Sequence, residues 1–231
     1  MDAWRLAVGT LTAVPVRAPR SVDRTTTRRA MLLAPLAVVP LGLVVAVVVW
    51  LGGLTDVPAL AVALVALGAL AAGSRALHWD GLSDVADGLT ASYDRERSLA
   101  VMKSGTAGPA GVVAVVVVLG LQAAALSAYV EGWREAVLAG GLVCLSRCAL
   151  WIVCAAPVPA ARPDGLGVAF TATVPTPVAV GGGVLLGVVP ALLVVALVRR
   201  CTSRFGGVTG DVMGAAIEVA LAALLLGLSW L

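Results

Sequence analysis

The chain has 231 residues, of which 60% are hydrophobic and 13% charged, with a mean hydropathy of +1.02. A soluble domain is typically about 45–50% apolar and about 25% charged, so a water-soluble globule is excluded and an all-α, polytopic membrane helix bundle of about six to seven spans is expected. A net charge of +3 is too small to point to nucleic acid; the basic residues cluster beside apolar runs, as topology signals do.

Residues 1–30 are an amphipathic, basic lead-in to a single membrane-embedded catalytic domain covering 1–231. Trp4, Leu6, Val8, Leu11 and Val14 stand in a stretch that also carries Arg5, Arg17, Arg20, Arg24, Arg28 and Arg29, and Pro15 and Pro19 end any helix before its second half. Trp4 beside basic residues suits a membrane interface, and the arginines ahead of the first span predict a cytoplasmic N-terminus. No cleavable signal is expected, because the first long apolar run starts only near Met31. That run, 31–51, contains Pro35, Pro40 and Gly42 and predicts a kinked first span. An external turn at 52–56 leads to a second span from Pro58 to about Leu77.

Residues 78–107 are the one long polar segment. His78-Trp79-Asp80-Gly81-Leu82-Ser83-Asp84-Val85-Ala86-Asp87-Gly88 places three carboxylates and the only histidine within ten residues. On a helix, positions 80, 84 and 87 fall within roughly 60° of one face. Three like charges there repel, so the pattern is either a solvated face or a site for a divalent cation such as Mg²⁺ or Ca²⁺, which takes hard oxygen ligands. His78 is either a hydrogen-bonded interface residue or a group that orients a ligand or shuttles a proton. A short surface helix around 93–103 follows. The small-residue loop Ser104-Gly105-Thr106-Ala107-Gly108-Pro109-Ala110-Gly111 leads into a helix, where free N–H groups would suit a phosphate; a plain tight turn is the alternative.

Spans at 110–129 and 136–156 come next, and the second of them carries Ser146-Arg147 deep in an apolar run. A buried arginine costs several kcal/mol unless paired, so a phosphate or carboxylate partner is expected for Arg147. After a loop at 157–176, residues 177–198 are apolar but broken by Gly181-Gly182-Gly183 and Pro190. As one full span they would put Arg199, Arg200 and Arg204 outside, against the positive-inside tendency. A re-entrant or hairpin segment is expected instead, which returns Asp211 and Glu218, on the last span (211–231), to the side of Asp80. Clustered carboxylates with Mg²⁺ and nearby cations such as Lys103 are what transfer of a phosphorus group needs.

The residues 78–88 resemble the H-x-D-G-L-x-D-x-x-D-G signature of the cobalamin synthase family, the adenosylcobinamide-GDP ribazoletransferases. Three further stretches are similar in order: Thr12-Ala13-Val14-Pro15-Val16, Gly165-Leu166-Gly167 through Phe170, and Gly207-Val208-Thr209-Gly210-Asp211 through Glu218. The resemblance implies that α-ribazole, or its 5′-phosphate, attacks the cobinamide-side phosphate of adenosylcobinamide-GDP with Mg²⁺ assisting and GMP leaving. It implies a multi-pass protein of a bacterial cell membrane, with the active site cytoplasmic. On the matched motifs, Asp80, Asp84, Asp87, Asp211 and Glu218 are the expected metal ligands. Asp80, Asp84, Asp87 and His78 are the expected catalytic residues, and Lys103, Arg147, Gly108, Gly111 and Thr209 the expected substrate contacts. The chain departs from the family in lacking an Asp after Met102-Lys103, and in a short stretch between Phe170 and Arg199.

Two other readings compete with this one. A CDP-alcohol phosphotransferase also uses Asp pairs and Mg²⁺, but Thr90-Ala91-Ser92 stands where its Ala-Arg belongs and no second Asp pair recurs. An ion transporter would carry its carboxylates mid-membrane, whereas these lie in a polar segment and at span ends.

Overall fold

The computed structural model describes residues 1–164 and 166–229, which form fourteen α-helices and one 3₁₀ turn. The first is α1 (Asp2–Leu11), which turns Ala7, Val8 and Leu11 inward. The first apolar run is broken into α2 (Arg24–Leu32), α3 (Ala34–Ala37) and α4 (Val39–Gly52). The interruptions at Leu33 and Val38 each fall two residues before a proline, Pro35 and Pro40, because proline has no N–H to give and its ring clashes with the preceding turn. The expected kink is therefore two breaks. Asp23 starts α2 by accepting from the Thr26 N–H.

After α5 (Ala59–Gly73) the chain bends by 91° into α6 (Leu77–Ala91). The bend is made by Arg75 and Ala76, both in the left-handed region, with φ of 58° and 53°. Arg75 is tied down there by donating to the Gly9 carbonyl of α1. The helix α7 (Arg95–Met102) leads to α8 (Pro109–Ser127). Next come α9 (Trp133–Leu145), a 3₁₀ turn at Ser146–Cys148 and α10 (Ala149–Val153), which together form one continuous rod. The remaining helices are α11 (Leu166–Phe170), α12 (Thr176–Leu186), α13 (Val188–Phe205) and α14 (Gly210–Leu228).

The molecule is a membrane helix bundle. Among the described residues, α8, the rod α9–α10 and α14 are long and apolar enough to cross a membrane. The pair α5 and α6 qualifies only jointly, across its bend, and α4 and α12 are shorter apolar helices. The apolar runs expected as spans are thus present partly as long helices and partly as broken or short ones, whose backbone groups neighbouring protein can shield. Valines 112, 113, 116 and 117 of α8 are exposed, as a lipid-facing flank should be.

The centre is α14, buried along nearly its whole length from Val212 to Leu225 and packed by α6, α8, α10 and α13. A helix that is apolar on all sides belongs inside. It runs parallel to α8: Gln122 bonds to Glu218 and the Tyr129 hydroxyl to the Leu225 carbonyl, both at a separation of 96 residues.

The hairpin expected over 177–198 is present as α12 and α13. Its turn is at Gly187, with φ of 81°, and not at the triple glycine, which lies within α12. The turn needs a residue that tolerates positive φ, which glycine does at no steric cost. The return brings Phe205 against Gly88 and lets Arg204 donate to the Ser92 carbonyl. Asp211 thus arrives at the end of the bundle that holds α6.

Candidate active site

Two glycines bring the acidic residues together. A methyl on Gly81 would sit 2.6 Å from the Asp211 carbonyl oxygen, and one on Gly214 would sit 2.9 Å from the His78 Cα. The backbones of α6 and α14 therefore touch, and only residues without a Cβ allow it. This contact sets Asp80 and Asp84 of α6 against Asp211 of α14, although they are distant in sequence. Asp80 is exposed, while Asp84 and Asp211 are half-buried. The charges of Asp80, Asp211 and Asp87 all bear on Asp84, and Arg162 is the cation that acts on Asp84 and Asp211. Thr209 caps α14 by accepting from the Val212 N–H and donates its hydroxyl to Asp211 Oδ2 at 3.0 Å.

Asp87 is placed differently from its two neighbours in the motif. Its carboxylate accepts the Gly108 N–H at 2.7 Å and the Gly111 N–H at 2.8 Å. Those are orphan donors at the start of α8, so Asp87 is a cap supplied from another helix. The same bonds occupy the N–H groups of Gly108 and Gly111 that a phosphate would need, which removes the loop as an anion site in this arrangement. Asp87→Ala is expected to cost about 1–3 kcal/mol, the penalty of stranding buried donors, and to open residues 104–108 to protease. Thermal unfolding in detergent with limited proteolysis checks this. Asp87→Asn, with one acceptor oxygen, is expected to fall between the two.

A second polar group lies deeper. Glu218, 2% exposed, accepts from Gln122 Nε2 at 2.9 Å through Oε2, and its Oε1 lies 3.5 Å from His78 Nδ1. Arg147, fully buried in the 3₁₀ turn, donates through Nη1 to the Val143 carbonyl and the Ser146 hydroxyl. Its Nε and Nη2 have no hydrogen-bond partner among the described residues, and Glu218 is the carboxylate whose field acts on it. Among the described residues Arg147 thus has no direct carboxylate partner, only the field of Glu218 within the bundle, and the guanidinium does not line the mouth. Lys103, at the rim, makes an exposed 3.4 Å pair with Asp164, an arrangement worth little by itself.

The five expected metal ligands consequently do not form one set. Asp87 and Glu218 are bound to N–H donors, and among the described residues no three His, Cys, Asp or Glu side chains form a ready-made metal-binding group. The donors whose chemistry fits a hard divalent cation are Asp80, Asp84 and Asp211: oxygen ligands, like-charged, and not taken up by other helices. Sequence reasoning did not single out Arg162 or Gln122. Nothing local marks Arg162, which sits in a loop and is steadied by donating to the Leu99 carbonyl. Gln122 did carry a signal, because it is the lone amide in an apolar run, as Arg147 is the lone cation in the next one.

Two cavities open beside Gly210 and Asp211. One, of about 160 Å³, also borders His78 and Asp80 and has apolar walls; the other, of about 180 Å³, is bordered by Arg162, Asp164 and Thr209. Fold and site together define a membrane-embedded helix bundle that gathers carboxylates and an arginine at one end. The model of the cobalamin-5-phosphate synthase family matches residues 3–229. The chain is 68% identical to an adenosylcobinamide-GDP ribazoletransferase of Nocardioides sp., over 97% of each chain. It is 36% identical to the ribazoletransferases of Frankia casuarinae, over 96% of this chain and 92% of that one, and of Pseudomonas aeruginosa, over 97% and 96%. The chain belongs to the cobalamin-5-phosphate synthase family, and is a transferase. No solved structure matches it.

Proposed function

We propose that the protein is an adenosylcobinamide-GDP ribazoletransferase. The observation that carries this is 68% identity, end to end, to a relative of that name. The hydroxyl oxygen of α-ribazole, or of its 5′-phosphate, bonds to the cobinamide-side phosphorus. The P–O bond of the pyrophosphate bridge breaks, GMP leaves with the electron pair, and the hydroxyl proton is released.

Asp80, Asp84 and Asp211 would hold Mg²⁺, which when bound would neutralise phosphate oxygens. Arg162 and Thr209 flank the polar cavity and suit the charged bridge, and Lys103 lies outside them at the rim. The N–H groups at the start of α14 add to the field there. A cytoplasmic site in a bacterial cell membrane is supported by the return of Arg199, Arg200 and Arg204 to the acidic end, since basic residues favour the cytoplasmic side.

The test uses membranes holding the full chain, given adenosylcobinamide-GDP, α-ribazole and Mg²⁺. GMP and a cobalamin product are expected, lost on chelation and restored by Mg²⁺. Silence where the Nocardioides relative turns over would refute the activity; turnover unaffected by chelation would refute the metal.

A further inference from the structure

The two cavities beside Gly210 and Asp211 differ in kind, and the difference sorts the substrates. The inner one is enclosed by Leu11, Met31, Leu150, Phe170, Met213 and Ile217, all at most 8% exposed. These come from α1, α2, α10, α11 and α14, and α6 adds Leu77, His78 and Asp80, so the pocket exists only where six helices meet. Its neutral polar wall is slight. The Thr10 hydroxyl is already spent on the Leu6 carbonyl at 2.6 Å, which leaves His78. Asp80 and Asp211 stand at its border. The outer cavity has Arg162 and the capped start of α14, and its apolar side chains are limited to Val168 and Val208.

Resting on the proposed activity, three bulky groups must be seated: a corrin ring, a guanine and a dimethylbenzimidazole. A corrin is too large for either cavity. A guanine presents donors and acceptors along its edges, and burying these against methionine, leucine and isoleucine would strand them. A dimethylbenzimidazole is flat and apolar, with one free ring nitrogen that accepts a single hydrogen bond. We infer that the inner cavity is the seat of the benzimidazole ring of the ribazole. His78 is the wall residue able to donate to the ring nitrogen. The ribose then emerges between Asp80 and Asp211, with its hydroxyl facing the outer cavity, where Arg162 receives the pyrophosphate. The start of α14 is the partition between acceptor and donor.

The inference separates the two substrates kinetically. Met213→Ala removes apolar wall and is expected to raise the KM for α-ribazole by about tenfold, leaving the KM for adenosylcobinamide-GDP unchanged. Arg162→Gln is expected to do the reverse. A second measurement needs no turnover. In the full chain in detergent, Met213→Cys is labelled with a maleimide, against the background of the wild-type cysteines, of which Cys148, Cys154 and Cys201 are buried. Protection of the introduced thiol by α-ribazole and none by GMP is expected. A Met213→Ala variant that shifts only the adenosylcobinamide-GDP KM, or an introduced thiol protected by GMP and not by α-ribazole, overturns the assignment. Failure of the wild type to turn over would instead strike at the proposed activity, and the labelling would still decide whether a benzimidazole riboside occupies this cavity.

Discussion

Asp84→Asn is expected to lower kcat by roughly 10²–10³-fold while leaving the protein folded and inserted. The size is that of removing one preorganised charge contact from a reacting centre. Asn matches Asp in shape, so the contact of α6 with α14 is preserved. What changes is charge at the position where Asp80, Asp211 and Asp87 all bear on one carboxylate. In the native protein that repulsion opposes folding, and a cation held there, as proposed above, would relieve it. The variant should therefore gain thermal stability in chelator while losing its response to Mg²⁺. Thermal unfolding with and without Mg²⁺, beside turnover, checks both halves. Turnover near the wild-type rate would show that Asp84 lies outside the reaction.

The second large effect is in the buried layer. Arg147→Met is expected to destabilise the protein by about 3–5 kcal/mol, the usual cost of leaving a buried charge without its counter-charge. Glu218 would keep its Gln122 and His78 contacts but lose the cation whose field reaches it from the 3₁₀ turn. Glu218→Gln should cost a similar amount, because it removes the negative charge whose field acts on the buried Arg147 guanidinium. Joined in one chain, the two changes should cost clearly less than their sum, since neither charge is then left alone. Unfolding in detergent for the four proteins gives the cycle. Additive losses would mean that Arg147 and Glu218 are held independently.

The contrast between Asp84 and Asp87 shows what could be read from the sequence and what could not. Both belong to one acidic face spaced i, i+4, i+7, and the helical face was legible because period and residue type suffice to define it. That Asp87 is a cap could not be read there, since its partners, Gly108 and Gly111, are 21 and 24 residues further on. Local spacing carries no information about which donor arrives from another helix. Glu218 is the same case: its spacing from Asp211 suggested a shared ligand face, yet at position 218 the helix has already entered the core, where Gln122 and His78 meet it. The hairpin was legible from charge, because three arginines had to return to the acidic end. The place of its turn was not, because a run of glycines tolerates a helix when its neighbours pack it, and only Gly187 takes the positive φ. Arg162 acts through folding alone: a loop residue becomes part of the site only once α14 lies beneath it.

The contact between Gly81 and Asp211 has a consequence for the order of events during synthesis. Asp80 and Asp84 leave the ribosome about 130 residues before Asp211, and the helices between them must be placed before α14 can thread into the middle of the bundle. Until then the first acidic helix has no partner backbone to lie against, and the benzimidazole pocket lacks the wall that Met213 and Ile217 provide. A chain lacking α14 has neither Asp211 nor that wall of the inner cavity. The acidic site is complete only once α14 lies against α6, with the Gly81 position touching the Asp211 backbone.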